Sequence, residues 1–174
     1  MRRMVAGLAS GMRVYLAGPL FSEAERAWLD AAAARLRAEG WECFVPHENF
    51  AGVTDLSAEH VYRVDLAGLR AANVLVAWLD GPAIDDGTAA EIGMFAEWCA
   101  TRGDRYRGIV GVATDLRTHR RRGLEAGGLN LFVVGAIQSA GTICWSLDEA
   151  IEAVRALDRE PGGEPAGPPP DPSG

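Results

Sequence analysis

Short apolar runs alternate with amphipathic stretches along this chain, and that alternation leaves few folds open to it. Val14–Ala17 is an apolar run closed by Gly18-Pro19, the pattern of a strand entering a turn. Ser22 and Glu25 form a capping box for a helix with Ala24, Trp28, Ala31, Ala32 and Leu36 at helical spacing, ending at Gly40. Trp41–Val45 reads as a second strand stopped by Pro46. After a loop, Ser57 can cap a helix through Val61, Val64, Leu66 and Leu69. Val74–Leu79 is a third strand, buried by its composition, and a third helix is expected over Thr88–Thr101. Ile109–Ala113 is a fourth strand. Asp115–Gly128 is polar, basic and glycine-containing, hence loop. Leu129–Gln138 is apolar throughout and fits either strand or helix. Thr142–Trp145 reads as a short last strand, and Ser146 with Glu149 makes a second capping box for a closing helix to Leu157. Strands alternating with helices predict an α/β fold, a five-stranded parallel sheet wrapped in a three-layer αβα sandwich. No GxGxxG occurs, so the dinucleotide-binding version of such a fold lacks its fingerprint.

The length of 174 residues fits one domain, placed at 13–158. Residues 1–12 read as a flexible extension, with Met12 as the natural start. The Pro/Gly-rich residues 159–174 read as a disordered tail. Residues 1–11 carry Arg2 and Arg3 without a hydrophobic core, so no signal peptide is expected, and no apolar run is long enough for a membrane span. A net charge of -7 argues against nucleic-acid or anionic-membrane partners. All 17 basic residues are arginine, which excludes a Walker lysine and Schiff-base chemistry. Cys43, Cys99 and Cys144 form neither a CxxC pair nor an even framework, which suits a reducing, cytoplasmic setting. Three histidines without HExxH argue against a catalytic metal, and no cofactor is expected.

The chemistry concentrates after the third strand. Asp85, Asp86 and Gly87 occupy the crossing into the third helix, with Glu91 expected in that helix's first turn. Ligands of open α/β sheets bind outside the carboxyl ends of the strands. The helix N-terminus is expected to keep Glu91 ionised. With no cationic neighbour in sequence, it is a candidate nucleophile at a sugar carbon. Tyr15 to Phe21, Asp65, Asp85 with Glu91, and Asn130 to Phe132 lie at or just past predicted strand ends, where they can converge. Such a set is suited to cleaving a glycosidic bond through an oxocarbenium-like transition state.

Tyr-Leu-Ala-Gly-Pro-Leu-Phe at 15–21, Asp65, Asp-x-Gly-Thr-x-x-Glu-x-Gly at 85–93 and Asn-Leu-Phe at 130–132 together resemble the nucleoside 2-deoxyribosyltransferase family, in the family's order and over residues 13 to 157. The resemblance implies a flavodoxin-like (Rossmann-like), doubly wound fold, a homo-oligomer, and retaining transfer of 2-deoxyribose between nucleobases in two steps. It places Glu91 as the nucleophile that forms a deoxyribosyl ester, Tyr15 as the residue orienting it, and Asp65 as the group assisting proton transfer to the base. Asp85 would contact the sugar hydroxyls. Because a carboxylate repels phosphate where a serine would donate to it, Asp85 favours free nucleosides over 5′-monophosphates. Asn130 and Phe132 match a segment that completes the active site of an adjacent subunit; Phe132 departs from the family's usual methionine.

Each residue also has a structural reading: Glu91 a helix-terminal acid favoured by the dipole, Tyr15 a packed strand tyrosine, Asp65 a solvated helix acid, Asp85 an Asx turn and Asn130 a turn residue. Gly18 and Gly87 suit either close ligand approach or turns, and Phe21 either a base pocket or core. His47 reads as a surface-loop histidine, with contact to a base as the alternative, and the Arg117, Arg120, Arg121 and Arg122 cluster as a solvated loop, with a phosphate site as the alternative. Trp28, Trp41, Trp78, Trp98 and Trp145 read as packing and subunit contacts. The alternative activities are hydrolysis of nucleosides or of their 5′-monophosphates in the same site, or reversible nucleotide sensing without bond cleavage.

Overall fold

The computed structural model describes residues 11–50, 52–54, 56–120 and 128–159. In chain order the elements are β1 (Arg13–Ala17), α1 (Glu23–Ala38), β2 (Glu42–Phe44), a 3-10 turn (Pro46–Asn49), α2 (Ala58–Ala71), β3 (Val74–Trp78), α3 (Asp86–Thr101), β4 (Gly108–Val112), α4 (Leu116–Arg120), α5 (Leu131–Ala140), β5 (Gly141–Cys144) and α6 (Leu147–Arg159). All strand pairs are parallel, in the order β2-β1-β3-β4-β5. This is the flavodoxin-like order, whose switch point falls between β1 and β3.

Side chains alternate across each strand, so each strand feeds both faces of the sheet. Val14 and Leu16 of β1, with Val74, Val76 and Trp78 of β3, join α1 and α6 in one core. Tyr15 and Ala17, with Leu75, Ala77 and Leu79, join Leu69 of α2, Ile92 and Phe95 of α3, and Val133 and Ile137 of α5 in the other. Tyr15 and α3 therefore meet on the same side of the sheet. Ile92 and Phe95 are fully buried, and burial of each such side chain contributes about 1.5–3 kcal/mol. They anchor the helix that carries Glu91. At the far edge the chain needs glycine: a Cβ on Gly141 would lie 1.8 Å from the Ile109 carbonyl oxygen.

Several sequence expectations are corrected. The buried stripe of α1 is Leu29, Ala32, Ala33 and Leu36: Ala32 and Leu36 fall on the expected face and Trp28 is half-buried against the core, while Ala24 and Ala31 face solvent. Met12, assigned to the flexible extension, is buried in the core, and its carbonyl accepts from the Glu42 N–H. The stretch expected to be loop contains the short helix α4; residues 121–127, with Arg121 and Arg122, lie outside the described residues. The open choice at Leu129–Gln138 resolves to helix α5, because Asn130 caps it by accepting from the Phe132 and Val133 N–H groups. Residues 1–10 and 160–174 also lie outside the described residues. Among the described residues no helix is long and apolar enough to cross a membrane.

Candidate active site

Asp85 starts α3. Its Oδ2 accepts from the Thr88 N–H at 3.0 Å and from the Thr88 hydroxyl at 3.1 Å, so the helix begins at Asp86, two residues before the expected start. Glu91 consequently lies in the second turn, beyond the reach of the orphan N–H groups of the helix end. That overturns the expectation that the helix terminus keeps it charged. Burial dominates instead and, with the nearby Asp65 and Asp85 charges, pushes the Glu91 carboxyl up to about 7.

One interaction opposes that rise. The Tyr15 hydroxyl donates to Glu91 Oε1 at 2.5 Å, a hydrogen bond that favours the ionised form. Tyr15 is fully buried, and its ring stacks on Phe44 with centroids 5.2 Å apart and planes 14° from parallel. Burial and then the Glu91 and Asp65 charges hold its phenol far above the ordinary range, so the hydroxyl keeps its proton and acts as donor.

Glu91 opens into a cavity of about 400 Å³ walled by α2 and α3, a size that accepts a small ligand. Asp65 stands in its wall among Val61, Tyr62, Leu66 and Leu69, with Gly87, Ala90 and Met94 on the α3 side. The Asp65 Oδ1 atom is buried and accepts no hydrogen bond from the described residues. Burial pushes its carboxyl up to about 6. Among the described residues, no cation counts among the groups acting on Glu91 or Asp65. Two raised carboxyls at one apolar cavity can carry a single proton near neutral pH and stabilise positive charge that develops on a bound sugar.

Of the expected site residues, Tyr15, Asp65, Gly87 and Glu91 come together here, with Asp85 at the helix start beside them. Asn130 lines a separate cavity of about 390 Å³ with Gly81, Ile84, Ala89, Arg117 and Val133, while Phe132 is 84% exposed. Phe21 is 74% exposed, and the Arg26 guanidinium donates to its carbonyl and to that of Leu20. Gly18 packs under the core; a Cβ there would lie 3.1 Å from Trp78 Cβ and 3.2 Å from Leu29. His47 is mostly covered rather than at the surface, 2.8 Å from Asp30 Oδ1. Arg117 is held by Asp115, with its Nε donating at 3.0 Å. Trp28 stacks on Trp78 and Trp98 packs on Phe95 and Tyr106.

Sequence reasoning missed Tyr62, Leu66 and Met94 as cavity walls and Thr88 as the partner of Asp85. Tyr62 and Leu66 were findable: they are four residues apart, one helical turn, and border the Val61, Asp65 and Leu69 row of the same helix. Asp-x-x-Thr at 85–88 is likewise an N-cap pattern.

Beside this geometry stands a sequence match: a model of the nucleoside 2-deoxyribosyltransferase family covers residues 14–133. The chain belongs to that family. The matched span begins one residue before Tyr15 and ends one after Phe132, so it contains every candidate residue. Among solved structures, a conserved protein from Enterococcus faecalis V583 is 26% identical with a TM-score of 0.69, covering 84% of this chain and 98% of that one. The 2-deoxyribosyltransferase of Bacillus psychrosaccharolyticus is 22% identical with a TM-score of 0.63, over 83% and 95% of the two chains. That of Leishmania mexicana is 19% identical with a TM-score of 0.59, over 85% and 98%. At these identities the two transferases show a shared fold. No curated protein matches this chain in sequence.

Proposed function

We propose that this family member exchanges the base of 2′-deoxynucleosides through a covalent deoxyribosyl ester on Glu91. The observation that carries the proposal is the Tyr15–Glu91 hydrogen bond of 2.5 Å at the edge of an apolar cavity that also holds Asp65. Ionised Glu91 attacks C1′ as the bond from C1′ to the base nitrogen breaks. Asp65 gives its proton to the departing base, a contribution of about 10²–10⁴-fold in rate for a well-placed acid. Positive charge spreads over C1′ and the ring oxygen in the transition state, flanked by carboxylates. The Tyr15 hydroxyl leaves one Glu91 oxygen occupied and the other free to bond. A second base then enters the cavity and attacks C1′, Asp65 takes the proton that this base loses, and Glu91 departs. Two inversions give net retention.

The base lies between the apolar walls of Tyr62, Leu66 and Met94, and Asp65 supplies its polar contact. Asp85 spends Oδ2 on Thr88 and turns its remaining oxygen to the sugar hydroxyls, where its charge disfavours a 5′-phosphate. Asn130 and Phe132 serve the site of a neighbouring copy, so the working unit is a homo-oligomer. It needs no cofactor, takes only nucleosides and nucleobases as partners, and works in the cytoplasm.

Mixing a 2′-deoxynucleoside with a different free base tests this. Exchanged nucleoside in the wild type, lost in Glu91→Ala, is the expected result. Free deoxyribose in its place assigns the chain to hydrolysis, and reversible binding without bond cleavage assigns it to sensing.

A further inference from the structure

Phe44 stands opposite Tyr15 in the β1–β2 register, and its ring stacks against the tyrosine ring at 5.2 Å. Helix α2 closes on the same ring at Gly68. A Cβ on that glycine would lie 2.6 Å from Phe44 Cζ and 2.7 Å from Cδ2 and Cε1, closer than any side chain can sit. Glycine inside a helix costs about 1 kcal/mol relative to alanine, and here it lets the α2 backbone lie on the aromatic face. Asp65 is three residues earlier on α2 and thus on the same side of the helix. One contact therefore links the strand pair that carries Tyr15 to the helix that carries the second carboxyl.

Building on the assignment of Glu91 as the attacking group, we propose that Phe44 and Gly68 are positioning residues: the Phe44 ring, seated on the Gly68 backbone, sets the Tyr15 hydroxyl onto Glu91 and fixes the spacing of α2 from β1. Neither touches substrate. Tyr15 is fully buried, so a displaced Phe44 ring carries the phenol with it, and the hydroxyl loses its alignment on Oε1. Displacements on the order of 1 Å in a catalytic arrangement can cost about 10²-fold in rate.

The test compares Gly68→Ala, Phe44→Leu and the double variant in the full chain. It reads kcat and KM of base exchange, and the Glu91 carboxyl titration by carbon-13 NMR with melting temperature alongside. Gly68→Ala is expected to lower kcat about tenfold or more with little change in KM, and to raise the Glu91 pKa as its tyrosine hydrogen bond weakens. The double variant is expected to recover part of both, because leucine is smaller than the phenylalanine it replaces and leaves room for the new methyl group. Wild-type kcat and Glu91 titration in Gly68→Ala overturn the proposal, and so do single-variant losses that add in full in the double variant. Should Gly68→Ala fail to fold, Phe44→Leu decides alone: a raised Glu91 pKa supports the coupling and an unchanged one overturns it. The titration needs no turnover, so absence of base exchange in the wild type would count against the proposed activity and leave this coupling to be decided by NMR.

Discussion

Tyr15 reaches from the first strand of the sheet to donate a 2.5 Å hydrogen bond to Glu91, 76 residues later in the sequence. The two groups push in opposite directions on one proton. Burial lifts Glu91 to about 7, and the tyrosine hydrogen bond pulls back toward the charged form that attack requires.

Tyr15→Phe removes the pull while keeping the ring in its stack on Phe44. The Glu91 pKa is expected to rise above about 7, and kcat/KM to fall about 10- to 100-fold, a share of the stabilisation a single aligned donor supplies. The check is kcat/KM across pH for both proteins. An unchanged profile would show that the hydroxyl does not act on Glu91.

The wild-type profile of kcat/KM is expected to be bell-shaped. Attack needs Glu91 ionised and Asp65 protonated, so the pair must carry one proton. Asp65 is raised to about 6 and Glu91 to about 7, and the maximum therefore lies between those values. Below it both carboxyls are protonated; above it both are charged. Raising the Glu91 pKa, as in Tyr15→Phe, moves the upper limb to higher pH and lowers the peak, because less of the singly protonated pair has its proton on Asp65. Asp65→Asn is expected to lose the bell, with a rate loss that shrinks for bases that leave easily without protonation.

Holding Glu91 in the cavity has a cost in stability. Its pKa is raised in the folded protein from the ordinary 4.5 to about 7, so its contribution to stability is fully present below pH 4.5 and is lost as pH rises through 7. Glu91→Gln, which keeps an acceptor for Tyr15, is expected to stabilise the protein at pH 8 by roughly 1–3 kcal/mol and to leave stability at pH 4 nearly unchanged. Melting curves of the two proteins at both pH values check this. Equal stability at pH 8 would mean that the carboxylate is solvated.

Asp85 combines two tasks that one substitution separates. Asn caps helices as well as Asp does, so Asp85→Asn preserves the bonds to Thr88 and removes the charge. Near-wild-type melting temperature, a lower Glu91 pKa and a smaller preference for a nucleoside over its 5′-monophosphate are the expected outcomes. Asp85→Ala should also lose the cap, worth about 1 kcal/mol. Steady-state kinetics on the two substrates give the preference directly, and a preference unchanged in Asp85→Asn contradicts the sugar-side role.

The sheet was legible because each strand is a short apolar run ended by Gly, Pro or a capping residue, and Ser22 with Glu25 marks the start of α1 by a local hydrogen-bond pattern. Glu91, Asp65 and Tyr15 were legible only together, through spaced motifs that the family match spans. What sequence could not supply was their environment. Burial of Glu91 depends on Tyr15 and on α2 closing over it, contacts between residues far apart in the chain. That is why a charge expected from the helix terminus becomes a raised carboxyl. The Phe44–Gly68 contact was invisible for the same reason, since a glycine within a helix pattern announces a close approach without naming its partner. Asn130 reads in sequence as a turn residue, and the run after it as strand or helix; its side chain proves to cap α5, a role that an Asn directly before an apolar run also suits.

The most direct measurement is intact-mass analysis of the wild type and Glu91→Gln after brief incubation with a 2′-deoxynucleoside, followed by addition of a second base. A single deoxyribosyl adduct on the wild type, located at Glu91 by peptide mapping, absent from Glu91→Gln and converted to the new nucleoside when the second base is added, is the predicted result. An adduct on another residue, or base exchange by Glu91→Gln at the wild-type rate, contradicts it.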